Sequence, residues 1–383
     1  MTTARVLGLA ICLASTSAFA LEQGEALING FGTVGVTHLG GEDDGRSYGI
    51  SGQTNDSWRG DQLSKFGAQL TYGVTDTVGL TLQTTAKAYG DEWKANLEWA
   101  YLSWQSTDNL MMRFGRLRTP VYMYSESIDV GFSYPWLRLP DEVYSQVQLS
   151  NYEGADIVYN LPLSFATLSF QLAGGIAKNR DYYIYDEEFD IDYDNVFGSS
   201  VSLATNDFGT FRVGYVEADI DTDISGSFTD IFGNPGTATL LALDKGKFTS
   251  IGYQYDNGTW LTANEWTSRV IENDGSNSTD SFYLMGGRRF GDFLAHVTYA
   301  QLDEDEGRQS SWTLGLNYNI LPTVVLKGEY KRVDTTGGYD GVFVRNAQEL
   351  YDNTVYDRTN GLAGVPARNY DGDIISAGVD FVF

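Results

Sequence analysis

Cysteine is nearly absent from these 383 residues, and the one present, Cys12, lies in a segment that reads as an export signal. Arg5 supplies a positive start, Val6 to Ala14 an apolar stretch, and Ala18-Phe19-Ala20 a small-x-small cleavage site. Ile11 is too large for the residue that precedes an acylated cysteine, which disfavours a lipoprotein. With 1–20 removed as a signal peptide, 21–383 carries no thiol. Disulfides, zinc–thiolate sites and dithiol redox chemistry are thereby excluded from that part of the chain.

Histidine is scarce too, with only His38 and His296. Asp292 and His296 stand four apart and would share a strand face, which could mimic part of an acid–base dyad. A histidine facing a lumen or rim is the plainer account. No Gly-rich loop opens a helix, so nucleotide chemistry has no support. Enzyme activity, a cofactor and a metal site are not expected. Basic residues number 25 against 51 acidic ones, a net charge of −26 that becomes one unit more negative when Arg5 is lost. Such a chain is a poor partner for nucleic acid. Beyond the signal, no apolar run approaches the ~20 residues of a spanning helix, and mean hydropathy is −0.25. That leaves one class of membrane protein open. Barrel strands need only about 9–11 residues, and they alternate lipid-facing with lumen-facing side chains.

What is present fits that class. The chain has 25 Tyr, 20 Phe, 8 Trp and 43 Gly but only 7 Pro, the mixture that aromatic girdles and tight turns require. Period-two alternation dominates. Phe66, Ala68, Leu70 and Tyr72 oppose Lys65, Gly67, Gln69 and Thr71. Trp312, Leu314, Leu316, Tyr318 and Ile320 oppose Thr313, Gly315, Asn317 and Asn319. Sixteen strands are predicted, near 26–38, 63–74, 78–89, 94–105, 110–118, 152–160, 165–178, 195–205, 209–219, 246–256, 259–270, 279–290, 292–303, 309–320, 323–333 and 371–383. A soluble sandwich would alternate as well. The connections separate the two. Tight turns such as Thr75-Asp76-Thr77, Leu161-Pro162, Asn257-Gly258 and Leu321-Pro322 alternate with long polar links at 40–62, 119–151, 179–194, 220–245, 271–278, 304–308 and 334–370. Short turns at one end and long loops at the other, with an even strand number, is the bacterial outer-membrane pattern.

The last strand alternates Ile375, Ala377, Val379, Phe381 and Phe383 with Ser376, Gly378, Asp380 and Val382, and stops on Phe383. With Phe114-Gly115-Arg116-Leu117-Arg118-Thr119-Pro120, this resembles the general trimeric porin family of Gram-negative bacteria. The resemblance implies an all-β fold, a 16-stranded antiparallel transmembrane β-barrel with an inward-folded third loop. It implies a single domain over 21–383, with 119–150 as the constriction loop. Phe381 and Phe383 would be read by the outer-membrane assembly machinery. The family's Pro-Glu-Phe-Gly-Gly motif is missing, and Leu139-Pro140-Asp141-Glu142 stands in its place.

A water-filled constriction with low-dielectric walls focuses the field of its charges. The expected basic wall is Arg113, Arg116 and Arg118 with Lys65 and Lys87, and the expected acidic loop is Glu126, Asp129, Asp141 and Glu142. Phe114 and Arg116 share parity, so a bulge near Gly115 is needed to bring Arg116 inward. The expected function is passive diffusion of small hydrophilic solutes and ions, from a homotrimer in the cell outer membrane beside lipopolysaccharide. Trp93, Trp99, Tyr101 and Trp104 would pack subunits. The rivals are a selective channel for sugars or small organic acids, using the loop aromatics as a sliding surface, and a structural or adhesive barrel without conductance. Acidic runs at 186–194, 219–223 and 303–306 are expected to be solvated loop tips, their calcium-loop spacing being incomplete.

Overall fold

In a computed structural model of the chain, the described residues are 21–41, 47–49, 54–89, 92–184, 187–221, 224–229, 235–241, 244–272, 278–305, 307–344, 355–357, 361–363 and 369–383. The expected signal, 1–20, lies outside them. Sixteen strands close into one antiparallel barrel. They are β1 (Ala26–Gly40), β2 (Lys65–Thr75), β3 (Val78–Tyr89), β4 (Glu92–Thr107), β5 (Leu110–Arg118), β6 (Asn151–Pro162), β7 (Ala166–Ile184) and β8 (Glu187–Thr205). The second half is β9 (Thr210–Asp221), β10 (Lys245–Asp256), β11 (Trp260–Ile271), β12 (Ser278–Phe290), β13 (Phe293–Glu304), β14 (Gly307–Leu321), β15 (Val324–Thr336) and β16 (Asp371–Val382). Each pairs with the next. The seam runs from Phe31 opposite Val382 to Gly40 opposite Asp373.

Parity sets the two faces. Along β16, Ile375 is exposed outside while Ile374, Ser376 and Asp380 are buried inside. The outer face carries Phe66, Trp93, Trp104, Phe114, Trp260, Phe290, Phe293, Trp312, Leu314 and Leu316, all exposed. Such a surface is stable only against lipid. At the seam the outer surface is fitted to the last residues. Phe381 and Phe383 stack at 6.4 Å. A Cβ on Gly32 would meet the Phe381 ring at 2.6 Å, and one on Gly30 would fall inside the Phe383 ring.

Two features depart from the sequence expectation. The polar segment 179–194 continues the β7–β8 hairpin instead of forming a loop, with 19 residues in each strand. On β4, a register shift sets Trp99 opposite Gln83 and Leu97 opposite Thr84, leaving Glu98 as the extra residue. Trp99 is buried, Tyr101 lies beside the buried Arg113, and only Trp93 and Trp104 face outward. One inserted residue thus leaves Trp93 and Trp104 on the lipid face and turns Trp99 and Tyr101 to the other.

A candidate constriction in the lumen

The segment between β5 and β6, 119–150, lies against lumen-facing side chains of most of the wall. It carries two single 3₁₀ turns, Ser125–Ser127 and Gly131–Ser133, and a four-residue helical turn, Asp141–Tyr144. So irregular a segment leaves many backbone groups to satisfy, and wall side chains take that role. Ser250 donates to the Val121 carbonyl at 2.7 Å, and the Met123 amide donates to Glu265 at 2.8 Å. Asn317 donates to the Pro135 carbonyl at 2.8 Å, and the Leu137 amide donates to Glu329 at 2.7 Å. Lys327 gathers three carbonyls, of Gly131, Tyr134 and Trp136, at 2.8, 2.7 and 2.9 Å. Its ammonium also pairs with Asp380 at 2.6 Å, and the two side chains are 1% and 0% exposed.

Apolar packing reinforces the docking. Tyr122, Tyr134, Trp136, Leu139 and Val143 of the loop form one cluster with Val216, Phe248, Tyr283 and Met285 of the wall. Trp136 meets Tyr283 edge-on at 5.4 Å and donates from Nε1 to Thr298 at 2.8 Å. His296 lies buried beneath the same indole, 6.5 Å between ring centroids, whereas Asp292 sits exposed in the preceding turn. The expected sliding surface is therefore mostly interior: Tyr122, Tyr134 and Trp136 are buried, and Tyr124 and Tyr144 remain half-buried.

The expected charges gather in the lumen, with one exception. Arg113 forks onto Asp156 at 2.5 Å and reaches Glu126 at 3.3 Å. Arg118 pairs with Asp129 and, at 3.3 Å, with Glu98. Lys87 reaches Asp129 at 3.1 Å, and Lys65 donates to the Tyr134 hydroxyl at 2.9 Å. Asp141 and Glu142 share Lys331 at 3.0 and 3.3 Å. Burial works against the charge on Asp129, but Lys87, Arg118 and Lys65 outweigh it and hold its carboxyl below the ordinary range. Arg116 is the exception. It stays on the outer parity with Phe114, opposite Ala100, and its guanidinium meets Glu153 at 2.5 Å. Gly115, at φ +136°, does mark an irregularity, yet the turn it makes leaves Arg116 outside. Loop carboxylates and wall cations stand with no open gap between them. They touch, which cancels much of the transverse field that separated charges would set up.

Several lumen charges were not anticipated: Glu98, Asp156, Glu265, Lys327, Glu329, Lys331 and Asp380. For three of them the signal is plain in retrospect. Lys327, Glu329 and Lys331 alternate with Leu326, Gly328 and Tyr330 on one strand, so the charged parity must face away from lipid. Of the acidic runs, Asp192 and Asp194 flank Lys178 at 3.2 and 2.9 Å, Glu217 and Asp219 flank Lys245 at 3.5 and 3.7 Å, and Asp303 pairs with Arg308. Asp186, Asp223 and Glu306 lie outside the described residues.

Comparison with known proteins gives a consistent result. The family described as Gram-negative porin matches residues 8–338 in sequence. No curated protein matches. Among solved structures, outer-membrane expressed OmpT of Vibrio cholerae is similar at 12% identity and TM-score 0.59, over 95% of this chain and 99% of that one. An anion-selective porin from Comamonas acidovorans is similar at 14% identity and TM-score 0.57, over 94% and 100%. A trimer form of OmpT of Vibrio cholerae is similar at 12% and 0.55, over 94% and 100%. At these identities the likeness is one of fold.

Proposed function

This chain belongs to the Gram-negative porins and forms an outer-membrane barrel, and from that premise we propose that it lets small hydrophilic solutes and ions diffuse passively past its third loop. The observation that carries the reading is the docking of 119–150 across the lumen on β2, β3, β5 and β10 to β16. A barrel wide enough for sixteen strands encloses an aqueous channel, and a loop pinned inside it sets the limiting width. Because Arg113, Arg118, Lys87 and Lys331 are matched by loop or wall carboxylates, the net fixed charge along the path is small. The aromatic sliding surface of a sugar channel loses support, since most of those rings are packed away. Diffusion needs no turnover and no cofactor.

Four further readings belong with this one. The chain is exported by a signal over 1–20. It assembles as a homotrimer, with outward aromatics such as Trp93 and Trp104 available to neighbouring subunits. Phe381 and Phe383 serve as its assembly signal, and lipopolysaccharide surrounds its long-loop end. Single-channel conductance of the detergent-extracted protein in a planar bilayer, with a salt gradient for the reversal potential, tests the main claim. Small ohmic steps closing in thirds are expected. Stable insertion without current would replace the diffusion pore by a structural barrel.

A further inference from the structure

The outer face of the barrel distributes its cations unevenly. At the long-loop end, Arg116, Lys178, Lys245, Lys247, Arg308 and Arg332 each pair with a carboxylate of the chain. In the half that carries the short turns, one lysine or arginine alone faces outward among the described residues: Arg288. It lies at the end of β12, opposite Trp260 on β11, and is exposed. Its guanidinium carbon sits 5.0 Å from the Trp260 ring centroid and 4.9 Å from that of Phe290. Both rings are themselves exposed to the bilayer side. No carboxylate lies within ion-pair distance of it among the described residues, whereas Arg289, one residue on and of opposite parity, pairs with Asp256 at 2.5 Å.

An arginine placed at the edge of a lipid belt, set within 5 Å of two interfacial aromatic rings and left without a protein counterion, lacks an anion. Cation–π contact orients the guanidinium but leaves its N–H fork free. Aromatic rings of this kind settle at headgroup level. The anion that a bilayer offers at that depth is a phosphodiester, whose paired oxygens match the fork. We propose that Arg288, Trp260 and Phe290 form a binding site for the phosphate of a glycerophospholipid in the leaflet at the short-turn end. The guanidinium takes the phosphodiester, and the rings flank the glycerol and upper acyl carbons.

The test is native mass spectrometry of the purified full-length protein in detergent, titrated with phosphatidylglycerol and, separately, with diacylglycerol. Arg288→Gln and Arg288→Lys are compared with the wild type, and heat-modifiable gel mobility verifies that each variant is a folded barrel. Wild type is expected to hold a phosphatidylglycerol that survives gentle activation. Arg288→Gln should bind it about fivefold more weakly, the equivalent of about 1 kcal/mol for one cation near an anionic surface, with Arg288→Lys between the two. Equal affinity in wild type and Arg288→Gln overturns the proposal. So does diacylglycerol binding as well as phosphatidylglycerol, which would mean that the acyl chains alone are recognised. Displacement of the lipid by millimolar inorganic phosphate would assign the site to free phosphate and overturn the lipid assignment.

Discussion

Replacing Lys327 by methionine isolates the contact on which the loop's position most depends. The ammonium is fully buried, pairs with an equally buried Asp380, and donates to the Gly131, Tyr134 and Trp136 carbonyls. Methionine keeps the volume and removes every one of those bonds. Asp380 then stays buried with only the Thr33 hydroxyl as a donor from a side chain, and breaking a buried pair from one side costs about 3–5 kcal/mol. The three loop carbonyls lose their donor as well, so the turn at 131–136 is free to leave the wall. Urea unfolding in liposomes, followed by tryptophan fluorescence, should register the destabilisation. Single-channel conductance should rise. The double variant Lys327→Met, Asp380→Leu separates the two effects: an apolar pair of similar bulk restores much of the stability, while the carbonyls remain without a donor and the conductance stays high. If Lys327→Met unfolds within 1 kcal/mol of wild type and passes the same current, the ion pair does not hold the loop and the reasoning fails.

Other expectations are as direct. Arg116→Gln, on the outer face, should leave conductance and reversal potential unchanged and cost under about 1 kcal/mol, as exposed pairs do; Arg113→Gln, inside, should change conductance. Trp136→Ala should destabilise by about 3–5 kcal/mol through the void it leaves in the loop cluster, read by the same urea assay, with larger conductance steps. Gly30→Val puts a branched side chain where the Phe383 ring lies; the fraction of heat-modifiable, assembled barrel should fall, and Phe383→Ala in the same chain should relieve the clash. The carboxyl of Asp129 is held below its ordinary value, so its contribution to docking is complete above the unfolded value of about 3.9 and is lost only as pH falls through the lower folded value. Asp129→Asn should therefore raise conductance at pH 7, where the carboxylate is fully charged.

Strand number and the faces of most strands could be read from alternation because one face meets lipid, and a one-residue slip would expose its whole polar parity there. That argument reaches Lys65 and Lys87 directly. It fails where a single residue is inserted: nothing in Leu97-Glu98-Trp99 announces that Glu98 and Trp99 will both leave the lipid face, and the subunit-packing expectation for Trp99 and Tyr101 failed with it. It fails again at 179–194, where an acidic segment reads as loop because its charges look unpaired. Lys178 and Arg180 supply partners for Asp192, Asp194 and Glu153 only once the hairpin is in register. Within the loop, residue type predicted the right ions but not their distances. Whether Glu126 and Asp141 stand across a gap from the cations or against them depends on how the backbone of 119–150 packs, and packing of an irregular segment has no period to read.

The seam carries a consequence for the order of events during biogenesis. Closing the barrel joins Ala26–Gly40 to Asp371–Val382, nearly the full length of the chain apart, so the first strand waits unpaired on one edge until the last is made. Lys327 and Asp380, which fasten the loop, also belong to the final two strands. Contacts so distant in sequence form late and slowly. The third loop is synthesised early but has no anchorage on that side of the wall until the final hairpin arrives. During assembly the lumen is thus wet and wide, and the passage narrows only as the cylinder shuts. A chain truncated before residue 371 would lack the means to close its wall and the aspartate that steadies its constriction, failing at both together.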